Sequence, residues 1–365
     1  MDPVQFYDAL TQSGLDSFYG VPDSLLKELC ACIQDKTPCD KNIIAANEGN
    51  ALALAAGHYL ATGKPSVVYM QNSGLGNIVN PLLSLMDEDV YQIPALLIIG
   101  WRGEPEVHDE PQHKKQGKLT LPLLDTMGVK YALLERCEQI QEAVQYMSET
   151  KKPYAFVVRK GLFESYPNKP VLQQKYTLSR EAAIQHVLQK TNPRDVVVST
   201  TGMISREVYE NRSSHEKDFL TVGSMGHASS IALGIALEKQ DRTVFCFDGD
   251  GALLMHMGAA AVIASRKPKN FKHILFNNEA HDSVGGQPTI MGNVDVKSLL
   301  LSVGYGKVFS VQSLEEIDKC WDEFYQFNGP AFLEIKVKSG ARKDLGRPKE
   351  SPKENKDLFV AFLGE

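Results

Sequence analysis

Thr243-Val244-Phe245-Cys246-Phe247-Asp248-Gly249-Asp250-Gly251-Ala252 decides the reading of this chain. Its first five residues form a β-branched and aromatic run, the pattern of a strand buried on both faces. Two acids and two glycines end the run, and a helix-like segment follows. In a parallel α/β sheet, ligands bind outside the carboxyl ends of the strands. Gly249 and Gly251 let the backbone approach an anion closely, and the start of the next helix offers free N–H groups and a favourable dipole. Asp250 places a carboxylate beside that anion, and the two repel unless a cation lies between them. The stretch predicts a metal–phosphate site. On its own, it is equally compatible with a tight turn.

Outward from it, the next strand, His273-Ile274-Leu275-Phe276, ends in Asn277-Asn278. The interval from Asp250 to Asn278 accommodates one helical crossover, and a βαβ unit sets such strand ends side by side. An Asp, an Asn amide, a backbone carbonyl and phosphate oxygens suit octahedral Mg²⁺. Spacing alone does not separate Asn278 from Asn277.

Further out, aliphatic runs alternate with helical patterns. Strands are predicted at Ile43–Ala46, Ser66–Met70, Ala95–Ile99, Tyr154–Val158, Val196–Ser199 and Ala331–Lys336. Helices are predicted at Asn50–Leu60, Glu138–Ser148, Arg180–Leu188, Ser229–Leu237 and Leu314–Phe327. The alternation implies α/β architecture: two doubly wound parallel-sheet domains. Pro167 and Pro170 with polar neighbours mark the joint. The expected division is 1–165, a linker at 166–178, a second domain at 179–340 and a polar tail at 341–365.

Composition excludes several classes. Of 365 residues, 43% are hydrophobic and 23% charged, and the net charge is −6, which favours neither nucleic acid nor an anionic membrane as partner. Clusters such as Lys114-Lys115 are too short to change that. No apolar run approaches the roughly 20 residues that span a bilayer. Met1-Asp2-Pro3-Val4 does not look like a signal peptide. The six cysteines contain no CxxC pair and no zinc-ligand spacing. A cytoplasmic, reduced protein is expected. No GxxxxGK[ST] stretch occurs, so a P-loop is absent.

Gly249-Asp250-Gly251 followed at this interval by Asn277-Asn278 resembles the cofactor motif of thiamine diphosphate-dependent enzymes. The resemblance implies the thiamine diphosphate-binding fold, with a pyrimidine-type and a diphosphate-type domain. It implies Asp250, Asn278 and the Ala280 carbonyl as Mg²⁺ ligands, with Gly249, Gly251 and Ala252 around the diphosphate. Leu220-Thr221-Val222-Gly223-Ser224-Met225-Gly226-His227 resembles the segment holding the aminopyrimidine, where the Gly223 carbonyl accepts its amino group and Met225 wedges beneath the cofactor. A buried Met also fills core gaps. Thr200-Thr201-Gly202 follows a strand, where Thr201 and Gly202 offer hydroxyl and N–H groups to the diphosphate. In the first half, Asn47-Glu48-Gly49-Asn50 opens a helix after a strand. Glu48 is implied as the carboxylate that activates the cofactor, although an acid in a first turn is commonly only dipole-favourable. In this family Glu and diphosphate site meet across a subunit interface, which implies a homo-oligomer.

Most such decarboxylases carry a middle domain, and here none is expected. Phe18-Tyr19-Gly20-Val21-Pro22-Asp23-Ser24, Gln71-Asn72-Ser73-Gly74-Leu75-Gly76-Asn77, His108-Asp109-Glu110-Pro111-Gln112-His113, His281-Asp282-Ser283-Val284-Gly285-Gly286-Gln287-Pro288-Thr289 and Arg342-Lys343-Asp344-Leu345-Gly346-Arg347-Pro348 resemble the phosphonopyruvate decarboxylase family, with sulfopyruvate decarboxylases as near relatives. The implied reaction converts 3-phosphonopyruvate to phosphonoacetaldehyde and CO₂ in phosphonate biosynthesis. Retention of Asp250 and Glu48 argues against a non-catalytic relative. Asp23, Ser24, His113, His281 and Asp282 are candidates for proton transfer; Asp23 and Ser24 also suit a turn or helix cap. Arg102, Lys114, Arg342 and Arg347 are candidates for the phosphonate, with Lys115, Arg159 and Lys160 beside them. Each is also an ordinary surface charge.

Overall fold

The run beginning at Val244 is an inner strand of a wholly parallel sheet and is buried from Val244 to Asp248. The computed structural model describes residues 1–168 and 174–364. Residues 169–173 of the expected linker lie outside them. The chain divides into two units, Met1–Val171 and Leu172–Glu365.

The first unit holds β1 (Phe18–Gly20), β2 (Asn42–Ile44), β3 (Val67–Gln71), β4 (Leu96–Gly100), β5 (Lys130–Leu133) and β6 (Tyr154–Val158), in the order β2-β1-β3-β4-β6-β5. The second holds β7 (Val196–Ser199), β8 (Asp218–Leu220), β9 (Val244–Gly249), β10 (Phe271–Asn277), β11 (Lys307–Val311) and β12 (Ala331–Lys336), in the order β11-β12-β10-β9-β7-β8. Read from its other edge, the second sheet repeats the order of the first. Every strand pairing is parallel. The two units are thus separate doubly wound sheets without a middle domain.

Strand alternation divides each core between two faces. Val67 and Tyr69 pack with Phe6, Leu10 and Phe156, whereas Val68 and Met70 pack with Leu52, Leu97 and Ile99. In the second unit, Val196, Val198 and Cys246 lie on one face, and Val197, Phe245 and Phe247 on the other. Each fully buried aliphatic or aromatic side chain contributes roughly 1.5–3 kcal/mol. These double-sided strands are the ones the sequence makes conspicuous.

Four strands escape sequence reading. β1 and β8 have three residues each, too few to show a period. β5 and β11 are sheet edges with partly solvated residues such as Lys130, Lys307 and Ser310. The expected polar tail contains a helix, Pro352–Gly364, that buries Phe359. Its Asn355 accepts from Leu220 N at 3.1 Å and donates to Asp218 O at 2.8 Å, satisfying the exposed edge of β8. Among the described residues, no helix is long and apolar enough to cross a membrane. All six cysteines are free.

Candidate active site

In the second sheet, the chain leaves β7 for β8 on one side and then crosses to β9 on the other. The crevice between the carboxyl ends of β7 and β9 is therefore a topological switch point, where such sheets bind ligands. Thr200-Thr201-Gly202 follows β7 and Gly249-Asp250-Gly251 closes β9. Phe276 of β10 is in register with Gly249, so Asn277-Asn278 emerges beside the same turn. Gly202 has φ 93° and ψ −136°, a conformation reserved for glycine, and starts the helix Met203–Glu210.

Asp250 is buried in the first turn of the helix Asp250–Met255. Its Oδ2 accepts from Thr289 Oγ1 at 2.5 Å. Burial raises its carboxyl to about 6, against the Thr289 and backbone hydrogen bonds that lower it. An ionised carboxylate in that position needs a cation. The glycine beside it is equally constrained. A Cβ on Gly251 would lie 3.0 Å from the His281 ring and 3.0 Å from Met225 Cε. The structure thereby brings Met225, Gly251 and His281 together. Met225 arrives on a tight turn in which Gly223, Ser224 and Gly226 all have positive φ.

The two asparagines part company. Asn277 is spent within the protein, donating to Glu334 Oε1 at 2.7 Å and accepting from Glu279 N at 3.2 Å. Asn278 donates its Nδ2 to Asp282 Oδ2 at 2.6 Å, and its Oδ1 accepts from Ala280 N at 3.2 Å. The loop beyond doubles back: His281 N bonds Gln287 O and Thr289 N bonds Glu279 O, which returns Thr289 to Asp250. Burial lowers the His281 imidazole to about 4. Beneath the site, Cys246, Asp248 and His273 have ligand atoms within 4.8 Å of one another. The ring nitrogens of His273 are already matched to Tyr305 Oη at 3.1 Å and Asp248 Oδ2 at 3.3 Å, so this is an internal polar cluster.

In the first unit, Asn47 accepts from Asn50 N at 3.0 Å as N-cap of the helix Glu48–Thr62. Glu48 is buried, and its Oε2 accepts from Asn77 Nδ2 at 2.6 Å. Asp23 is wholly buried beyond β1. It accepts from Gln71 Nε2 at 2.7 Å and Leu25 N at 2.8 Å, and burial raises its carboxyl. Neither it nor Ser24 caps a helix, because Leu26 precedes the helix Lys27–Lys36. Arg102, after β4, donates to Ser24 Oγ at 2.8 Å and grips Asp109 through Nε at 2.8 Å and Nη2 at 2.5 Å. Burial opposes ionisation of Asp109, but the Arg102 and Gly103 N–H bonds and the Arg102 charge prevail and hold it at about 2. Burial, reinforced by Arg102, lowers His113 to about 4. Lys114 and Lys115 are exposed on the same helix, Pro111–Thr126, and His108 is exposed before it. Arg159 pairs with Glu104.

Lys160 is exposed beside Arg159, and the last two basic candidates lie on the second unit. Arg342 is committed to Glu181, Glu210 and Asp344. Arg347 is exposed.

Residues 4–127 match the family model of the N-terminal TPP binding domain of thiamine pyrophosphate enzymes, and residues 198–335 match its C-terminal TPP binding domain. The phosphonopyruvate decarboxylase of Streptomyces viridochromogenes is 34% identical, over 97% of this chain and 93% of its own. This chain belongs to the thiamine diphosphate-dependent decarboxylases. The phosphonopyruvate decarboxylase of Streptomyces hygroscopicus is 33% identical over 98% of this chain and 92% of its own. The sulfopyruvate decarboxylase of Methanosarcina acetivorans is 28% identical over 91% and 90%. The decarboxylase is thus a lyase for a 2-keto acid, with its two cofactor-binding domains joined without a middle domain.

Sequence reading singled out neither Asn77 and Gln71, which hold Glu48 and Asp23, nor Thr289 on Asp250. All three lie inside the family-like stretches, which was the available signal. Arg180 and Glu207 gave less warning. Arg180 sits in the first turn of a helix, where an isolated Arg reads as surface, yet it is buried against Glu207 and Asp282.

Proposed function

We propose that this decarboxylase converts 3-phosphonopyruvate to phosphonoacetaldehyde and CO₂ as a step of phosphonate biosynthesis, using thiamine diphosphate bound through Mg²⁺. The whole-length identity to two phosphonopyruvate decarboxylases carries the substrate reading. The donor set carries the metal: a buried carboxylate that, among the described residues, has no cationic hydrogen-bond partner, beside an amide at a neighbouring strand end. Asp250, Asn278 and the Ala280 carbonyl would hold Mg²⁺. Thr201, Gly202, Gly249, Gly251 and Ala252 would line the diphosphate, and Gly223 and Met225 the aminopyrimidine. Bound thiamine diphosphate supplies the electron sink that lets CO₂ leave.

The chain supplies the rest. Glu48, fixed by Asn77, acts as the activating carboxylate toward the aminopyrimidine. Asp23, whose carboxyl burial raises, would be a proton donor, with Ser24, His113 and His281 as the other proton-handling groups. Both histidines are neutral near pH 7 and so present one N–H and one acceptor each. Arg102 and Lys114 are the phosphonate contacts the first unit offers, with Arg342 and Arg347 on the second. Arg342 would have to exchange its carboxylates for substrate.

Incubation with thiamine diphosphate, Mg²⁺ and each keto acid tests the reading. kcat/KM should be higher for phosphonopyruvate than for sulfopyruvate, and the reverse order would reassign the substrate. Glu48→Gln should abolish turnover while sparing much of the cofactor binding, and full activity in it would sink the proposed activation. We place the working site in a homo-oligomer, with Glu48 from one copy and Asp250 from another. Mixing inactive Glu48→Gln and Asp250→Ala proteins should then restore part of the activity; no recovery would mean that one chain supplies both.

A further inference from the structure

Asp282 follows Asn278 by four residues and stood among the proton-transfer candidates. Its surroundings indicate another task. Its Oδ2 accepts three hydrogen bonds, from Asn278 Nδ2 at 2.6 Å, Arg180 Nη1 at 2.9 Å and Gly340 N at 2.9 Å. Arg180 is itself immobilised, with Nε at 2.8 Å and Nη2 at 3.1 Å from the two oxygens of Glu207. Side-chain exposure is 5% for Arg180, 1% for Glu207 and 13% for Asp282. A carboxylate fixed in this way, beside a buried guanidinium, has one oxygen fully occupied by three donors. That is a poor arrangement for relaying protons and a good one for aiming a neighbour.

The neighbour is Asn278. An asparagine amide has two faces, oxygen and NH₂, of which only the oxygen binds a hard cation. Nothing intrinsic to the side chain fixes which face turns to the metal. Hydrogen-bonding the NH₂ to an anion does so, because a flipped amide would set two oxygens against each other. The same guanidinium also spans the site. Glu207 lies on the helix that Gly202 initiates, whereas Asp282 lies on the loop after β10. Gly340 adds the segment beyond β12.

We propose that Asp282 is a positioning residue, held by the Arg180–Glu207 pair, that orients the Asn278 amide for the metal and ties together the turns after β7, β10 and β12. The proposal rests on the Mg²⁺ reading above. Removing partners that orient metal ligands typically weakens metal affinity about 10- to 100-fold.

Mn²⁺ titration followed by EPR, on the full chain with thiamine diphosphate, provides a readout independent of turnover. Asp282→Ala should raise the Mn²⁺ Kd about 10- to 100-fold, and the isosteric Asp282→Asn, which keeps an acceptor oxygen, should raise it less. In both, saturating metal should return kcat to within a few-fold of wild type. Asp282→Asn carries the test should Asp282→Ala not fold. Unchanged Mn²⁺ affinity in the Asp282 variants, while Asp250→Ala loses binding, overturns the proposal and leaves the metal site standing. Loss of kcat that saturating metal does not restore also overturns it, because Asp282 would then act in the chemistry. If Asp250→Ala binds Mn²⁺ normally, the underlying metal assignment fails instead.

Discussion

Gly74→Ala places one methyl group against the proposed activating carboxylate. Gly74 has φ −70° and ψ −14°, an ordinary right-handed conformation, so alanine adds no backbone strain there. Its Cβ would lie 2.5 Å from both Cγ and Oε1 of Glu48, and 2.6 Å from Cδ. Carbon contacts settle near 3.5–4.0 Å, so Glu48 must retreat by about 1 Å. Displacement on that scale costs about 100-fold in rate where geometry is decisive, or about 2.7 kcal/mol at the barrier. The folding cost should sit near the lower end of the roughly 1–3 kcal/mol for overpacking, because the obstacle is the movable end of a side chain. Moving Glu48 also disturbs the 2.6 Å hydrogen bond that its Oε2 accepts from Asn77, so the displaced carboxylate loses the partner that orients it. The assay is hydrogen–deuterium exchange at C2 of bound thiamine diphosphate, followed by NMR, alongside kcat/KM. Both should fall together by about 100-fold in a protein that melts within a few degrees of wild type. An exchange rate within threefold of wild type in folded protein would refute a position-critical role for Glu48.

Two further outcomes follow from the charges. Asp250 titrates near 6 in the folded chain against 3.8 ordinarily, so without metal its contribution to stability is complete below 3.8 and is lost as pH rises through about 6. Proton and cation then compete for it. Mn²⁺ affinity should fall by up to tenfold per pH unit below about 6, and Mg²⁺ should raise the melting temperature more at pH 7 than at pH 5; a metal affinity flat across that range would refute the competition. Arg102→Ala removes a charged donor worth about 1.5–3 kcal/mol, so it should raise KM for phosphonopyruvate about 10- to 100-fold with kcat nearly unchanged. A lower melting temperature with unaltered KM would confine Arg102 to holding Asp109.

What was legible in the sequence follows from what burial does to composition. β9 and β10 are apolar on both faces, so their ends could be located, and with them the strand-end position of Asp250 and Asn278. Gly202 and Gly223 were found through the family resemblance, and the structure shows both at positive φ, which few other residues adopt. Hydrogen-bond partners distant in sequence were not legible. No local pattern links Arg180 to Glu207 and Asp282, and none says that Asn277 turns to Glu334 while Asn278 does not. Such choices depend on three-dimensional register, which periodicity does not encode. The three-residue strands β1 and β8 were lost because pairing on a neighbour, rather than pattern, makes them strands.

The repeated strand order raises the question of why two sheets with the same topology would hold different halves of the proposed machinery. Each has a switch-point crevice, between β7 and β9 in the second unit and between β1 and β3 in the first. In the second, that crevice is bounded by Gly202, Gly249 and Gly251, so backbone N–H groups and a helix start face whatever enters. In the first, the corresponding place is filled from within. Asp23 takes hydrogen bonds from Gln71 at the end of β3 and from Leu25 N, and its Oδ2 would lie 2.2 Å from a Cβ on Gly100 at the end of β4. An internal carboxyl group occupies the ground that a phosphate would need. On the proposed reading, the first unit leaves the diphosphate to the second and would supply side chains instead, among them Glu48, Asp23 and Arg102. The same fold would serve two purposes because one crevice is bounded by glycines and the other is closed with an acid.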